Sequence, residues 1–346
     1  MRKAVNPMRM RPAAIVLFGL VATVSFAGAQ EFQIVKVPSV TTAPVKDLKP
    51  KTIAFNDHRD DEGGGFIKFE NWGKSNAIQK QFLSLYPSFT EANVTRSVDG
   101  LIKTYKDKLQ IYVSEARFLI GKAPEQIDLK KYTTIGFMEA LDPQIKHEII
   151  KPGDFRYLKD ERNINNTNPD RGWCEGAGVA LCLRSKYILE GKIPMGIALA
   201  NKLRDSEKRL SNYVEFESEL RLLGPADIDE PGLRKLTGID APVTAVLEQN
   251  IFAVNQIMRF GKFIAVIQPN PAQPGTSVAT SMISLAVSAT TLETKKSYES
   301  VPVLRNLVPS QVLLGNSSFN TGTSISSGLP NYSRNRIKAI AEVLDK

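Results

Sequence analysis

Histidine and cysteine are nearly missing from this chain, with two of each in 346 residues. So few cysteines exclude a dense disulfide scaffold, and neither histidine stands near Cys174 or Cys182 at the short ligand spacing of a structural zinc site. Any Ser-His-acid arrangement must use His58 or His147. Neither a Gly-x-Ser-x-Gly elbow nor a Ser-x-x-Lys pair occurs, which removes the common serine-nucleophile signatures. Gly73-Lys74-Ser75 has the ending of a phosphate-binding loop, but that motif's first glycine would fall on Lys68. Gly176 and Gly178 give only part of a dinucleotide fingerprint, with no strand run before them. No cofactor is expected. Basic runs with interleaved aromatics are absent, so nucleic acid is not an expected partner, and no repeat of fixed period is visible.

Long apolar runs are lacking as well. The run at residues 13–26 is 14 long, whereas a spanning helix needs about 20. It follows Arg2, Lys3, Arg9 and Arg11 and precedes Ala27-Gly28-Ala29, the small residues of a signal-peptidase site. Residues 1–29 therefore read as a cleaved signal peptide, with the mature chain starting near Gln30 in the periplasm or outside the cell. No cysteine lies near the cut, so a lipid-modified amino terminus is not expected. The leader also holds four of the 45 basic residues and no acids, so the remaining 317 residues carry 41 bases against 36 acids. The whole-chain charge of +9 thus falls to +5, which serves solubility more than it marks a polyanion site.

An exported chain with two cysteines invites a disulfide. Residues eight apart lie roughly 26 Å from each other on a strand and roughly 12 Å on a helix, while a disulfide needs Cα atoms within about 7 Å. A Cys174–Cys182 bond therefore requires a chain reversal, and Glu175-Gly176-Ala177-Gly178 supplies residues that tolerate one.

Residues 30–52 hold several prolines and few large apolar groups and read as an extended lead-in. Ser75 is a candidate N-cap for a helix ending before Pro87, and Val94, Val98, Leu101, Ile102, Tyr105 and Leu109 recur at helical spacing. Two-residue alternation marks strands at 109–120, 181–189 and 212–223. In the last, Val214, Phe216, Leu220 and Leu222 oppose Glu215, Glu217, Glu219 and Arg221, an acidic face that is solvated or meets basic residues. Residues 262–268 and 276–292 flank a proline-rich link and read as an antiparallel pair. Residues 243–258 fit a helix, with a strand as the alternative. A polar loop at 315–330 leads to a helix whose Ile337, Ile340, Ala341 and Leu344 form a packed stripe.

The expected fold is α+β, a curved antiparallel sheet with early helices and a C-terminal helix packed on it. Residues 53–346 form one domain, with a possible subdivision at 151–172. Among candidate sites, Asp57, His58, Asp60, Asp61 and Glu62 precede three glycines and could ligate a metal, although Arg59 would oppose a cation. His58 and His147 are the candidate catalytic bases. Arg334, Arg336 and Lys338 sit early in the final helix, where the macrodipole disfavours cations, and call for an anion. It can come from the Glu215/Glu217/Glu219 face, or from anionic lipid or a phosphorylated ligand. Trp72 and Trp173 pack loops, with Trp173 stacking on the adjacent disulfide.

With strands bearing apolar faces, a helix to cover them and no assembled catalytic set, the expected function is an exported, non-enzymatic binding protein for an apolar or amphipathic ligand such as a lipid. The alternatives are an exported hydrolase using His58 or His147 with nearby carboxylates, and a cell-envelope interaction or scaffold protein with an envelope protein as partner.

Overall fold

The computed structural model describes residues 31–41, 43–57, 67–68, 93–98, 101–106, 109–141, 143, 145–156, 172–188, 213–254, 258–288 and 325–345. Every described element lies in one unit, Phe32–Lys346. Nine strands stand side by side in the order β1 (Gln33–Lys36), β2 (Thr52–Asn56), β6 (Leu109–Ile120), β12 (Ser277–Ser288), β11 (Met258–Pro269), β10 (Ala245–Val254), β9 (Tyr213–Leu223), β8 (Val179–Ile188) and β7 (Ile145–Ile149). A short β3 (Ile67–Lys68) pairs with β6 at Gln110 and Ile111, next to the part of β6 that β2 uses. The strands β4 (Asn93–Val98) and β5 (Leu101–Lys106) form a separate antiparallel pair. Among the described residues three α-helices accompany them: α1 (Ile135–Leu141), α2 (Glu230–Thr237) and α3 (Ile325–Leu344).

The architecture is α+β with a C-terminal helix, but the sheet is mixed, because β1 runs parallel to β2. Three local expectations change. The helical spacing at 94–109 belongs to the β4–β5 pair, and the intervening sequence, Asp99-Gly100, is a dipeptide favoured in two-residue hairpin connections. The helix expected at 243–258 is β10, a central strand with nearly every side chain buried. A strand buried on both faces loses its polar–apolar alternation, and the apolar residues either side of Glu248-Gln249-Asn250 recur at helical spacing. The final helix begins at Ile325, so the second part of the expected polar loop is helical. The helix expected after Ser75 lies outside the described residues.

Alternation along each strand divides the core between two faces. On one face Phe55, Tyr112, Phe118, Phe216, Phe263, Ile267 and Ile283 gather around Ile337, Ala341 and Leu344 of α3. A hydrogen bond of 2.8 Å between the hydroxyls of Ser114 and Ser333 joins α3 to β6. At its far end α3 is held by Asp345, which pairs with Lys51 at 2.5 Å and accepts from the Gly121 N–H. On the opposite face Val246, Phe252, Phe260, Ile264 and Met282 pack under Leu233 and Leu236 of α2, Trp173 and the disulfide.

Two glycines position that second cover. Gly178 has φ 71°, and a Cβ there would stand 2.7 Å from the Leu222 carbonyl oxygen, so the reversal after Cys174 requires glycine. Gly238 caps α2 in the left-handed conformation, φ 66°, and its N–H returns to the Arg234 carbonyl. The neighbouring Thr237 carbonyl accepts from the buried guanidinium of Arg117, which also donates to Thr280 and to the Ala43 carbonyl. Arg117 thereby ties β6, β12, the lead-in and α2 together. Burial lowers its pKa to about 10, with Glu115 opposing the shift.

Ile337 is fully buried between α3 and the sheet. Ile337→Ala is expected to cost about 2–5 kcal/mol of unfolding free energy, read as a lower urea midpoint at unchanged slope.

Candidate functional site

The helix-bearing face carries polar side chains as well as apolar ones. Ile145 and His147 on β7, Ser185 and Tyr187 on β8, Phe216 and Ser218 on β9, and Gln249 on β10 point to this face by strand parity and register. His147 Nδ1 lies 2.8 Å from the Ser185 hydroxyl. Gln249 donates to the Ser218 hydroxyl at 3.3 Å and accepts at 2.9 Å from Arg336 on α3. The Arg336 guanidinium also donates to the Tyr332 hydroxyl at 3.1 Å and sits 4.6 Å from the Phe263 ring centroid. This is a polar track set in an apolar interface, spanning four strands and the helix.

Desolvation pushes the His147 pKa down to about 4, and the positive charge of Arg336 adds to the shift, while Glu139 and a backbone hydrogen bond with Met138 resist it. The ring is therefore neutral at ordinary pH. Among the described residues its contact with Ser185 is the one arrangement that resembles a nucleophile and a base, and Ser185 is wholly buried.

Where α3 ends, a cleft of about 340 Å³ opens between it and the segment that leads to α1. Ile127, Tyr132, Phe137 and Leu344 give it apolar walls, and Lys122, Gln126 and the Lys131–Asp128 ion pair supply polar ones. Tyr132 stacks edge-on against Phe137 at 4.9 Å and donates to the Val343 carbonyl, which fixes the wall on the end of the helix.

The structure separates the three cations flagged on the last helix. With α3 starting at Ile325, Arg334 is ten residues in, so the macrodipole argument, which decays within the first turn, does not reach these side chains. Arg334 pairs with the buried carboxylate of Asp57 at 3.2 Å and lies over the Phe55 ring. Asp57 is thus the partner of a cation from the chain itself, while His58, Asp60, Asp61 and Glu62 lie outside the described residues. Among the described residues no cluster of three or more possible metal ligands occurs. Asp57 and burial together raise the Tyr112 phenol above its usual range, burial being the larger cause. Lys338 is part-exposed on α3.

The acidic face of β9 does not answer these cations, because it is on the other side of the sheet. Glu215, Glu217 and Glu219 are all buried. Glu217 meets Arg184 at 3.2 Å, Glu215 meets Arg156 at 2.7 Å, and Glu219 meets Arg221 at 2.8 Å and accepts from the Cys174 N–H and Asn250. The charges that read as a solvated or basic-facing stripe form an internal array. Cys174 and Cys182 are disulfide-bonded, Cα atoms 5.5 Å apart, with positive φ at Gly176 and Gly178 where the reversal was expected. Trp173 shares a cluster with the disulfide, but its stacking partner is the Phe252 ring, 4.7 Å away. Trp72 is outside the described residues. Gln249, Ser185 and Tyr332 were not legible as site residues. Reading 243–258 as a strand would have put Gln249 in phase with Leu247 and Ile251, and that was the available signal.

No family model matches the chain, and no curated protein matches its sequence. Among solved structures, similarity extends to Ara h 8.0201, with 11% identity, TM-score 0.29, and 68% of this chain and 97% of that one covered. Norcoclaurine synthase from Thalictrum flavum, in complex with dopamine and hydroxybenzaldehyde, gives 10% identity, TM-score 0.28, and 67% and 87% coverage. The human StarD13 lipid transfer and protein localization domain gives 9% identity, TM-score 0.28, and 77% and 94% coverage.

Two outcomes test the charge assignments. Arg184→Ala, which leaves Glu217 buried with a partner missing, is expected to lower stability by about 3–5 kcal/mol in denaturant titrations. His147 has a folded pKa below its unfolded value, so the unfolded state binds the extra proton and stability falls as pH drops from about 6.5 toward 4. Urea melts at pH 7.5 and 5 should show that loss, and His147→Gln should reduce it.

Proposed function

We propose that the protein is an exported, non-enzymatic carrier that holds an apolar or amphipathic small molecule in the cleft between the end of α3 and the segment that leads to α1. The observation that carries this reading is the cleft of about 340 Å³ at the end of α3, with aromatic and aliphatic walls and a few charged and polar side chains, Lys122, Gln126, Asp128 and Lys131, beside them. Its size falls in the range of small-molecule sites, and such sites are mostly apolar with a few placed polar groups. The leader at residues 1–29 and the Cys174–Cys182 disulfide support export, since disulfides persist in oxidising compartments.

The hydrolase alternative rests on one observation, the 2.8 Å contact of His147 with Ser185. The burial of Ser185 counts against it, because a nucleophile must reach substrate.

Protein purified without detergent and extracted into organic solvent is expected to release a stoichiometric apolar or amphipathic molecule by mass spectrometry. Delipidated protein is expected to take up a fluorescent fatty acid, and Phe137→Asp, which places a charge in the cleft wall, to lower that uptake at least tenfold. Absence of both ligand and uptake would overturn the carrier reading.

A further inference from the structure

The row of strands ends at β1 on one side and β7 on the other, and no described strand lies beyond either. An edge of this kind offers a row of backbone donors and acceptors to any strand that fits it. The Ile150 N–H donates to the Cys182 carbonyl at 2.9 Å, and β7 pairs with β8 from Ile145 opposite Tyr187 to Ile149 opposite Leu183. Inward and outward backbone groups alternate in an antiparallel ladder, so Lys146 and Glu148 bond to β8 while Ile145, His147 and Ile149 turn theirs outward. Among the described residues these outward groups have no backbone partner. Ile149 adds an apolar side chain that is 60% exposed.

The sequence of this edge is its own complement. Ile145-Lys146-His147-Glu148-Ile149, laid antiparallel on a second copy with His147 at the two-fold axis, sets Ile145 opposite Ile149 and Lys146 opposite Glu148, each twice. The outward groups of the three odd-numbered residues then meet the same three, which forms two hydrogen bonds per pair. A shift of one residue opposes outward groups to residues already bonded to β8. A shift of two sets Lys146 against Lys146 or Glu148 against Glu148, and like charges directly opposite are unfavourable. His147, neutral at ordinary pH, brings no like charge to the axis. The other edge has no such match, because β1, Gln33-Ile34-Val35-Lys36, holds no acid to answer its lysine.

The existing partners of these side chains leave the pairing open. Lys146 meets Glu139 at 3.8 Å and Glu148 meets Arg184 at 3.3 Å, yet Lys146 and Glu148 are themselves exposed, and exposed ion pairs hold little energy. The helix α1 lies over the sheet face, with Met138 on Leu183 and Leu220. A lone lysine on an edge deters foreign strands, and here a second copy supplies the acid that answers it.

We infer that two copies of the chain join through antiparallel β7–β7 pairing centred on His147, so that one sheet runs through both. The contact is isologous and closes at two. It is independent of the carrier reading. Five residues per copy make a small interface, with a dimer Kd on the order of 10–100 µM.

Sedimentation velocity of the purified protein from about 1 to 500 µM is expected to show monomer passing to dimer and no larger species. Lys146→Glu alone and Glu148→Lys alone each oppose like charges twice and are expected to raise the dimer Kd roughly tenfold or more. The combined swap, Lys146→Glu with Glu148→Lys, restores both opposite-charge pairs and is expected to return the Kd to within about threefold of wild type. Ile149→Pro removes an outward N–H that β8 does not use and is expected to weaken the dimer as well. Urea midpoints report whether each variant is folded. Monomer throughout the wild-type range, a dimer indifferent to the single reversals, or a folded double variant that fails to recover would overturn the pairing. Species that grow past the dimer would overturn it too, and would point to β7 meeting the β1 edge of the next copy.

Discussion

Strands β10, β11 and β12 carry apolar side chains on both faces, and the rest of the fold follows from that constraint. A sheet with one wet face needs one cover, but Ile264 and Val266 on one side of β11 and Phe263 and Ile267 on the other leave no wet face. The long C-terminal helix supplies one cover. The other is assembled from the short α2, an aromatic pair and a disulfide-closed reversal, which together do what a second long helix would do. Arg117 threads between them, a buried cation whose three acceptors come from separate parts of the chain.

The two faces handle polarity differently. On the α2 side, carboxylates and guanidiniums alternate across β8 and β9 in register, Arg184 beside Glu217 and Cys182 beside Glu219, and the Glu248–Lys262 pair continues the array onto β10 and β11. Each β9 glutamate has a cation, with Arg184 shared among Glu148, Glu215 and Glu217, so that face has the character of a closed structural layer. On the α3 side the polar groups are mostly neutral, a histidine, serines and an amide, and the cation among them keeps unused donors. Paired charges lock one face, whereas mostly neutral polar groups set in an apolar interface hold the other.

Many of the strands were legible because alternation is a local property, although their order in the sheet was not. Strands β6, β8 and β9 announce themselves by a two-residue period, β11 and β12 by flanking a proline-rich link, and the disulfide follows from distance arithmetic on eight residues. Strand β10 was hidden because burial on both faces erases the period. The β4–β5 pair was hidden because spacing that fits a helix also fits two short strands, and the Asp99-Gly100 signal was read as a weakness of a helix. Charge pairing was least legible. Which carboxylate meets which cation depends on sheet parity and on where α3 starts, so Glu215, Glu217 and Glu219 could not be assigned to Arg156, Arg184 and Arg221 from spacing alone. Asp57, near the start of the chain, could not be assigned to Arg334, which is 277 positions away.

The disulfide has a role beyond shortening a loop. The Cys174 N–H donates to Glu219, a carboxylate with no exposure to solvent, so the cystine also fixes a donor against a buried negative charge. Thiol oxidation and charge burial are thermodynamically linked at this point: whatever stabilises the sealed carboxylate favours the oxidised pair, and the reverse holds equally. The opposite-face layer is therefore coupled to the state of the Cys174–Cys182 pair, and the sheet that α3 covers is supported from behind by a covalent bond as well as by packing.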